Sequence, residues 1–78
     1  MNAQTIAAWA AENGFYSLDS RRYRRRDDAR TITIEIKRMS VVLIDEGQGL
    51  HPRIISRLFK DMRFEGANVN FHRLLTGG

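Results

Sequence analysis

Thr31–Asp45 reads TITIEIKRMSVVLID, and the fold turns on how it is read. Ile32, Ile34 and Ile36 alternate with Thr31, Thr33, Glu35 and Lys37. A period of two places the isoleucines on one face of a strand and the polar residues on the other. Val41 to Ile44 is apolar at every position, which predicts a better buried second half. Arg38-Met39-Ser40 contains no Gly, Asn or Pro, the residues that favour a tight reversal. The stretch is therefore predicted as one long strand to about Asp45, bent or bulged near Met39, in preference to two strands joined by a turn.

Upstream, Asp27-Asp28-Ala29 is a polar turn that lets Arg21–Arg26 and Thr31–Lys37 form a hairpin. Arg21–Arg26 reads RRYRRR. Alternation puts Arg21, Tyr23 and Arg25 on one face and Arg22, Arg24 and Arg26 on the other, and no strand can bury both sets. An edge strand is predicted, since charge at an edge opposes edge-to-edge aggregation. Phe15 to Leu18 leads into it, with Asp19-Ser20 as a bend. Asn2 to Asn13 is predicted as a helix, capped by Asn2 and closed at Gly14, with Ile6, Trp9 and Ala10 as its apolar stripe. Trp9 is expected in the core.

Downstream, Glu46 to His51 is a glycine-containing loop, and Pro52 suits the first turn of a helix. On a helical wheel Ile54, Ile55, Leu58, Phe59 and Met62 fill an arc of roughly 140°. Arg53, Ser56, Arg57, Lys60, Asp61 and Arg63 lie opposite. A second helix over 52–62 is predicted. A strand from Ile54 to Phe64 is the competing reading, with Ile54, Leu58, Met62 and Phe64 on one face. Glu65 to Asn68 is read as a turn, Val69–Leu75 as a last strand, and the final residues as a loose tail. The expectation is one small α+β domain over 1–78: an antiparallel sheet of three or four strands with both helices on one face.

With 78 residues the core is thin. There is no cysteine, which removes disulfides and thiolate metal sites and suits a reducing cytoplasm. No apolar run approaches the roughly 18 residues that span a bilayer, and no targeting or lipidation signal is read. The net charge is +4, but residues 20–38 hold eight bases against Asp27, Asp28 and Glu35. Eleven of the thirteen bases are arginine. The guanidinium fork matches carboxylate and phosphate, so an acidic partner is expected.

Enzymatic readings find little support. Glu35-x-Lys37 with an upstream Asp27 or Asp28 resembles the metal-binding core of restriction-type nucleases, but the pattern is short and the frame small. Gly47-x-Gly49 before a helix suggests phosphate binding, but no Gly-Lys-Ser/Thr follows and Asp45-Glu46 would repel the anion. His51 and His72 make a poor metal pair, and His51 is expected to help cap the second helix. No serine has a strained-elbow context. No metal and no cofactor are expected.

The Arg21–Arg26 hairpin, with Tyr23 among its bases, can neutralise phosphates and stack a base. Arg53, Arg57, Lys60 and Arg63 would add a second basic patch. A short, cysteine-free chain with TIAAWAAENGF, an RRYRRRDDAR hairpin and no catalytic motif resembles small phage-borne accessory proteins of the anti-CRISPR type. That resemblance implies a non-catalytic inhibitor acting in the host cytoplasm on a ribonucleoprotein effector. The leading expectation is a non-enzymatic protein, monomeric or homodimeric, that docks on an acidic protein surface or a ribonucleoprotein through Arg21, Arg22, Tyr23, Arg24, Arg25, Arg26, Arg53, Arg57, Lys60 and Arg63. The alternatives are direct DNA or RNA binding by the same hairpin and, third, a metal-dependent nuclease.

Overall fold

Between Ile36 and Val41 the apolar positions switch from even to odd numbers, and the chain reverses there. The computed structural model, which describes residues 2–47 and 51–61, pairs β3 (Arg30–Ile36) with β4 (Ser40–Glu46) antiparallel. Ile36 faces Val41, Ile34 faces Leu43 and Ile32 faces Asp45. The single long strand expected over 31–45 is thus a hairpin. The Lys37 N–H donates to the Ser40 carbonyl at 2.8 Å, and the Met39 carbonyl accepts from the Phe59 N–H at 2.9 Å. Asp28 is the one non-glycine residue with positive φ among the described residues, so the reversal at Arg38-Met39 needs no left-handed residue. A bulge and a reversal both switch the inward parity. Only the reversal lets the two halves satisfy each other's backbone polar groups.

The remaining strands extend this pair into an antiparallel meander. β1 (Tyr16–Asp19), β2 (Arg22–Asp27) and β5 (Arg53–Leu58) complete a sheet ordered β1-β2-β3-β4-β5 among the described residues. The predicted hairpin at Asp28-Ala29 is present, with Asp27 opposite Arg30 and Asp28 at φ 36°. β2 is not the edge strand, because β1 pairs with it in front of a register shift between Ser17 and Asp19. The count of five strands exceeds the three or four expected.

Among the described residues of the predicted second helix, 52–61, no α-helix forms. Residues 53–58 are β5, followed by a 3-10 turn over Phe59–Asp61. The competing strand reading holds for Ile54 and Leu58, which share a face, while Ile55 and Phe59 reach the core. The apolar arc fitted both periods. The free ladder edge of β4 decides for the strand, because pairing there satisfies a row of backbone groups that a helix would leave open. With the helix gone, His51 has nothing to cap and stands exposed in a bend. Gln48 to Leu50, Met62, Arg63, the turn at 65–68, the strand expected over Val69–Leu75, and His72 lie outside the described residues.

One face of the sheet carries the core. Ile32, Ile34, Ile36, Val41 and Leu43 cluster with Ile6 and Ala10 of α1 (Ala3–Glu12) and with Phe15. Trp9, half-buried, packs at the rim with its ring 5.7 Å from Phe15. Asn2 caps the helix, its Oδ1 accepting from the Thr5 N–H at 2.8 Å. Gly14, at φ 82°, allows the Phe15 N–H to bond the Ala10 carbonyl at 3.0 Å. That six-to-one closure turns Phe15 back under the helix.

Leu43 is 1% exposed and Ile54 is 64% exposed. Leu43→Ala should therefore cost about 2–5 kcal/mol in urea unfolding, by lost transfer energy plus a cavity. Ile54→Ala should cost less than about 1 kcal/mol, because the site is already wet.

Candidate interaction surface

Strand pairing sorts the predicted basic residues onto two faces. Tyr23 and Arg25 face the helix side. Arg22, Arg24 and Arg26 face the opposite, open side, on which no described element packs. The central row of the open side runs Tyr16, Arg24, Thr33, Ile44, Ile54 across the five strands. Val42, Glu35 and Arg22 form the next row with Ser56, and Leu58 extends the apolar end.

Several arginines serve the fold. The Arg25 guanidinium lies 4.9 Å from the centre of the Phe15 ring, donates to the Asn13 carbonyl at 3.1 Å and pairs with Asp27 at 3.0 Å. It ties the end of α1 to β2. Tyr23 packs half-buried against the core, which removes it as a stacking platform. Arg30 holds the buried Asp45 through two bonds, one from Nε to Oδ1 at 2.8 Å and one from Nη2 to Oδ2. This carboxylate holds the Arg30 pKa above its ordinary value. Asp45, opposite Arg53 on β5, closes the open end of the core with a satisfied charge.

Arg22 bonds Asp19 through Nε at 2.7 Å. Asp19 also accepts the Arg21 backbone N–H at 2.8 Å, and that bond, ahead of Arg22, lowers its pKa. Arg24 donates to the Thr33 hydroxyl at 3.1 Å, a neutral acceptor that leaves its charge uncompensated. Arg26 has no ion-pair partner among the described residues. With Lys37 on Glu35, the open side sets Arg22, Arg24, Arg26 and Lys37 against Asp19, Glu35 and Glu46, one positive charge from electrical balance.

Arg53 and Arg57 stand on β5 facing the helix side, with Lys60 in the turn beyond. They are separated from the Arg22–Arg26 row by three strand spacings, roughly 14 Å, and by the sheet itself. The two basic patches do not form one surface. Arg63 lies outside the described residues. Tyr16, 47% exposed and directly opposite Arg24, is an open-face aromatic that sequence reasoning passed over in favour of Tyr23. The hairpin register through Asp28-Ala29 was the signal that separates the two tyrosines.

The nuclease constellation is not assembled. Asp27 faces Arg30 at one end of the β2–β3 hairpin, and Glu35 faces Arg22 at the other, roughly 17 Å away at about 3.4 Å per residue. Lys37 pairs with Glu35 at 3.5 Å. Among the described residues no group of three or more His, Cys, Asp or Glu is placed to hold a metal. No described helix is long and apolar enough to cross a membrane. No protein-family model, curated protein or solved structure matches the chain.

The Asp19 carboxyl should titrate below the ordinary Asp value of about 3.9. A lowered folded pKa contributes stability that is present above the unfolded value and is lost as pH falls through the folded one. Carboxyl ¹³C titration should show this midpoint. Arg22→Gln should raise it only in part, because the Arg21 N–H bond remains.

Proposed function

We propose that this chain is a small non-enzymatic interaction protein that docks on another protein through the open face of its sheet. The carrying observation is that Tyr16, Ile54 and Leu58, at 47%, 64% and 44% exposure, lie on that one face. Val42 and Ile44 lie half-buried between them. An apolar region on β4 and β5, with arginine on β2 and tyrosine on β1 across the same face, has the composition of binding hot spots. The uncompensated Arg24 and Arg26 favour a partner whose apolar patch is bordered by carboxylates, since a guanidinium matches a carboxylate in two-point geometry.

The resemblance to anti-CRISPR proteins makes a ribonucleoprotein effector in the host cytoplasm the first partner class to test. The near balance of charge on the open face weighs against polyanion binding as the main activity. Direct nucleic-acid binding is kept as a second reading for one reason: Tyr16 beside Arg24 on an open sheet is suited to stacking a base.

Affinity capture from nuclease-treated source-cell lysate should recover one stoichiometric protein partner with the wild type. Ile54→Asp and Arg24→Glu should each lose it, and Arg53→Gln on the other face should keep it. Capture insensitive to both open-face substitutions would contradict the reading. For the second reading, a single-stranded oligonucleotide should bind with an affinity whose logarithm falls linearly with log salt, and Tyr16→Ala should weaken it. Absence of binding at low salt ends that alternative.

A further inference from the structure

Part of the positive charge that the open face does not hold, Arg21, Lys37 and Arg38, gathers at one end of the molecule. A cleft of about 410 Å³ opens there, between the first two turns of α1, the β1–β2 turn at Ser20-Arg21 and the β3–β4 turn. Ala3, Ala7 and Ile36 give it an apolar floor, Gln4 and Ser20 add neutral polar groups, and Arg21, Lys37 and Arg38 supply the cations of its rim. No acidic residue lines it, and none stands in the first turn of α1. The adjoining cleft, about 500 Å³, adds Asp19 and Glu35 to its walls and so offsets its own bases.

The walls are fixed while the cationic ends are available. The Arg21 N–H is held by Asp19 at 2.8 Å, and the Arg21 carbonyl accepts from the Ile36 N–H at 2.7 Å. The Arg21 and Arg38 guanidinium groups have no ion-pair partner among the described residues, while Lys37 is paired with Glu35 at 3.5 Å. Two unpaired guanidinium groups at one open cleft raise the local concentration of anions.

We infer that this cleft binds a carboxylate carried on a short apolar stem, as in the glutamate side chains of an acidic peptide segment. The methylenes would lie on Ala3, Ala7 and Ile36, and the carboxylate would meet Arg21 and Arg38 in two-point hydrogen bonds, with Lys37 beside them. A bare oxyanion uses the rim and leaves the floor unused, which is why the stem is part of the assignment. The inference shares with the open-face reading only the premise of an acidic partner. Its test uses a probe too small to occupy the sheet.

The measurement is amide ¹H–¹⁵N correlation spectroscopy with end-blocked triglutamate, matched triglutamine and inorganic phosphate as separate titrants. Triglutamate should give saturable shifts centred on Gln4, Arg21, Lys37 and Arg38, and triglutamine should give none. The Arg21→Gln/Arg38→Gln double variant, with the rest of its spectrum superimposable on wild type, should bind at least about tenfold more weakly, about 1.4 kcal/mol. Ala7→Leu, which fills the floor, should weaken triglutamate and spare phosphate. Arg24→Gln on the open face should change nothing. Four results would each overturn the assignment: shifts confined to the open face, no saturation, unchanged affinity in the double variant, or phosphate binding as tightly as triglutamate.

Discussion

The rest of the structure depends on the cross-strand pair Ile34–Leu43. Both side chains are buried, they face each other across β3 and β4, and they share one cluster with Ile6 and Ala10 of α1. Among the described residues this layer holds the buried apolar cluster, so it sets the register of the strands beside it. Shifting β3 against β4 by one residue would send the isoleucines of β3 to the open side and carry Thr33 and Glu35 inward. The hairpin turns at Asp28-Ala29 and Arg38-Met39 are therefore constrained from the core outward as well as by their own residues.

The alternation in Thr31–Lys37, the Asn2-to-Gly14 helix and the turn at Asp28-Ala29 could be read directly, because each rests on a local rule. The reversal at Arg38-Met39 was missed because turn residues were sought and none was required. The parity switch from Ile36 to Val41 was visible, but a bulge produces the same switch. The strand at 53–58 was obscured for a different reason. Five apolar residues at positions 54, 55, 58, 59 and 62 satisfy a helical arc, and only the presence of an open β4 edge tips the balance toward pairing. That edge is a tertiary fact, invisible until the hairpin is known. The arginine cluster was legible as charge but not as geometry: Arg25 and Arg22 bind named partners within the fold.

Once those internal pairs are set aside, the electrostatics look different from the sequence total. The net positive charge is carried largely by Arg21, Lys37 and Arg38 at one end and by Arg53, Arg57 and Lys60 at the other edge. The open face between them is near neutral and partly apolar. Such a division suits a protein partner better than a continuous phosphate backbone. On the proposed reading, steering comes from the ends and affinity from the apolar region around Ile54 on β5.

The central claim is that, among the described residues, the sheet is one-sided: α1 covers one face, and the other, which carries the proposed docking surface, has no described element on it. Methyl relaxation in the presence of a soluble, neutral gadolinium chelate tests it most directly. The account predicts strong attenuation of the Ile54 and Leu58 methyls, intermediate effects at Val42 and Ile44, and protection of Ile34, Val41 and Leu43. Equal protection of both sets in the isolated protein would show the open face to be closed already and would contradict the account.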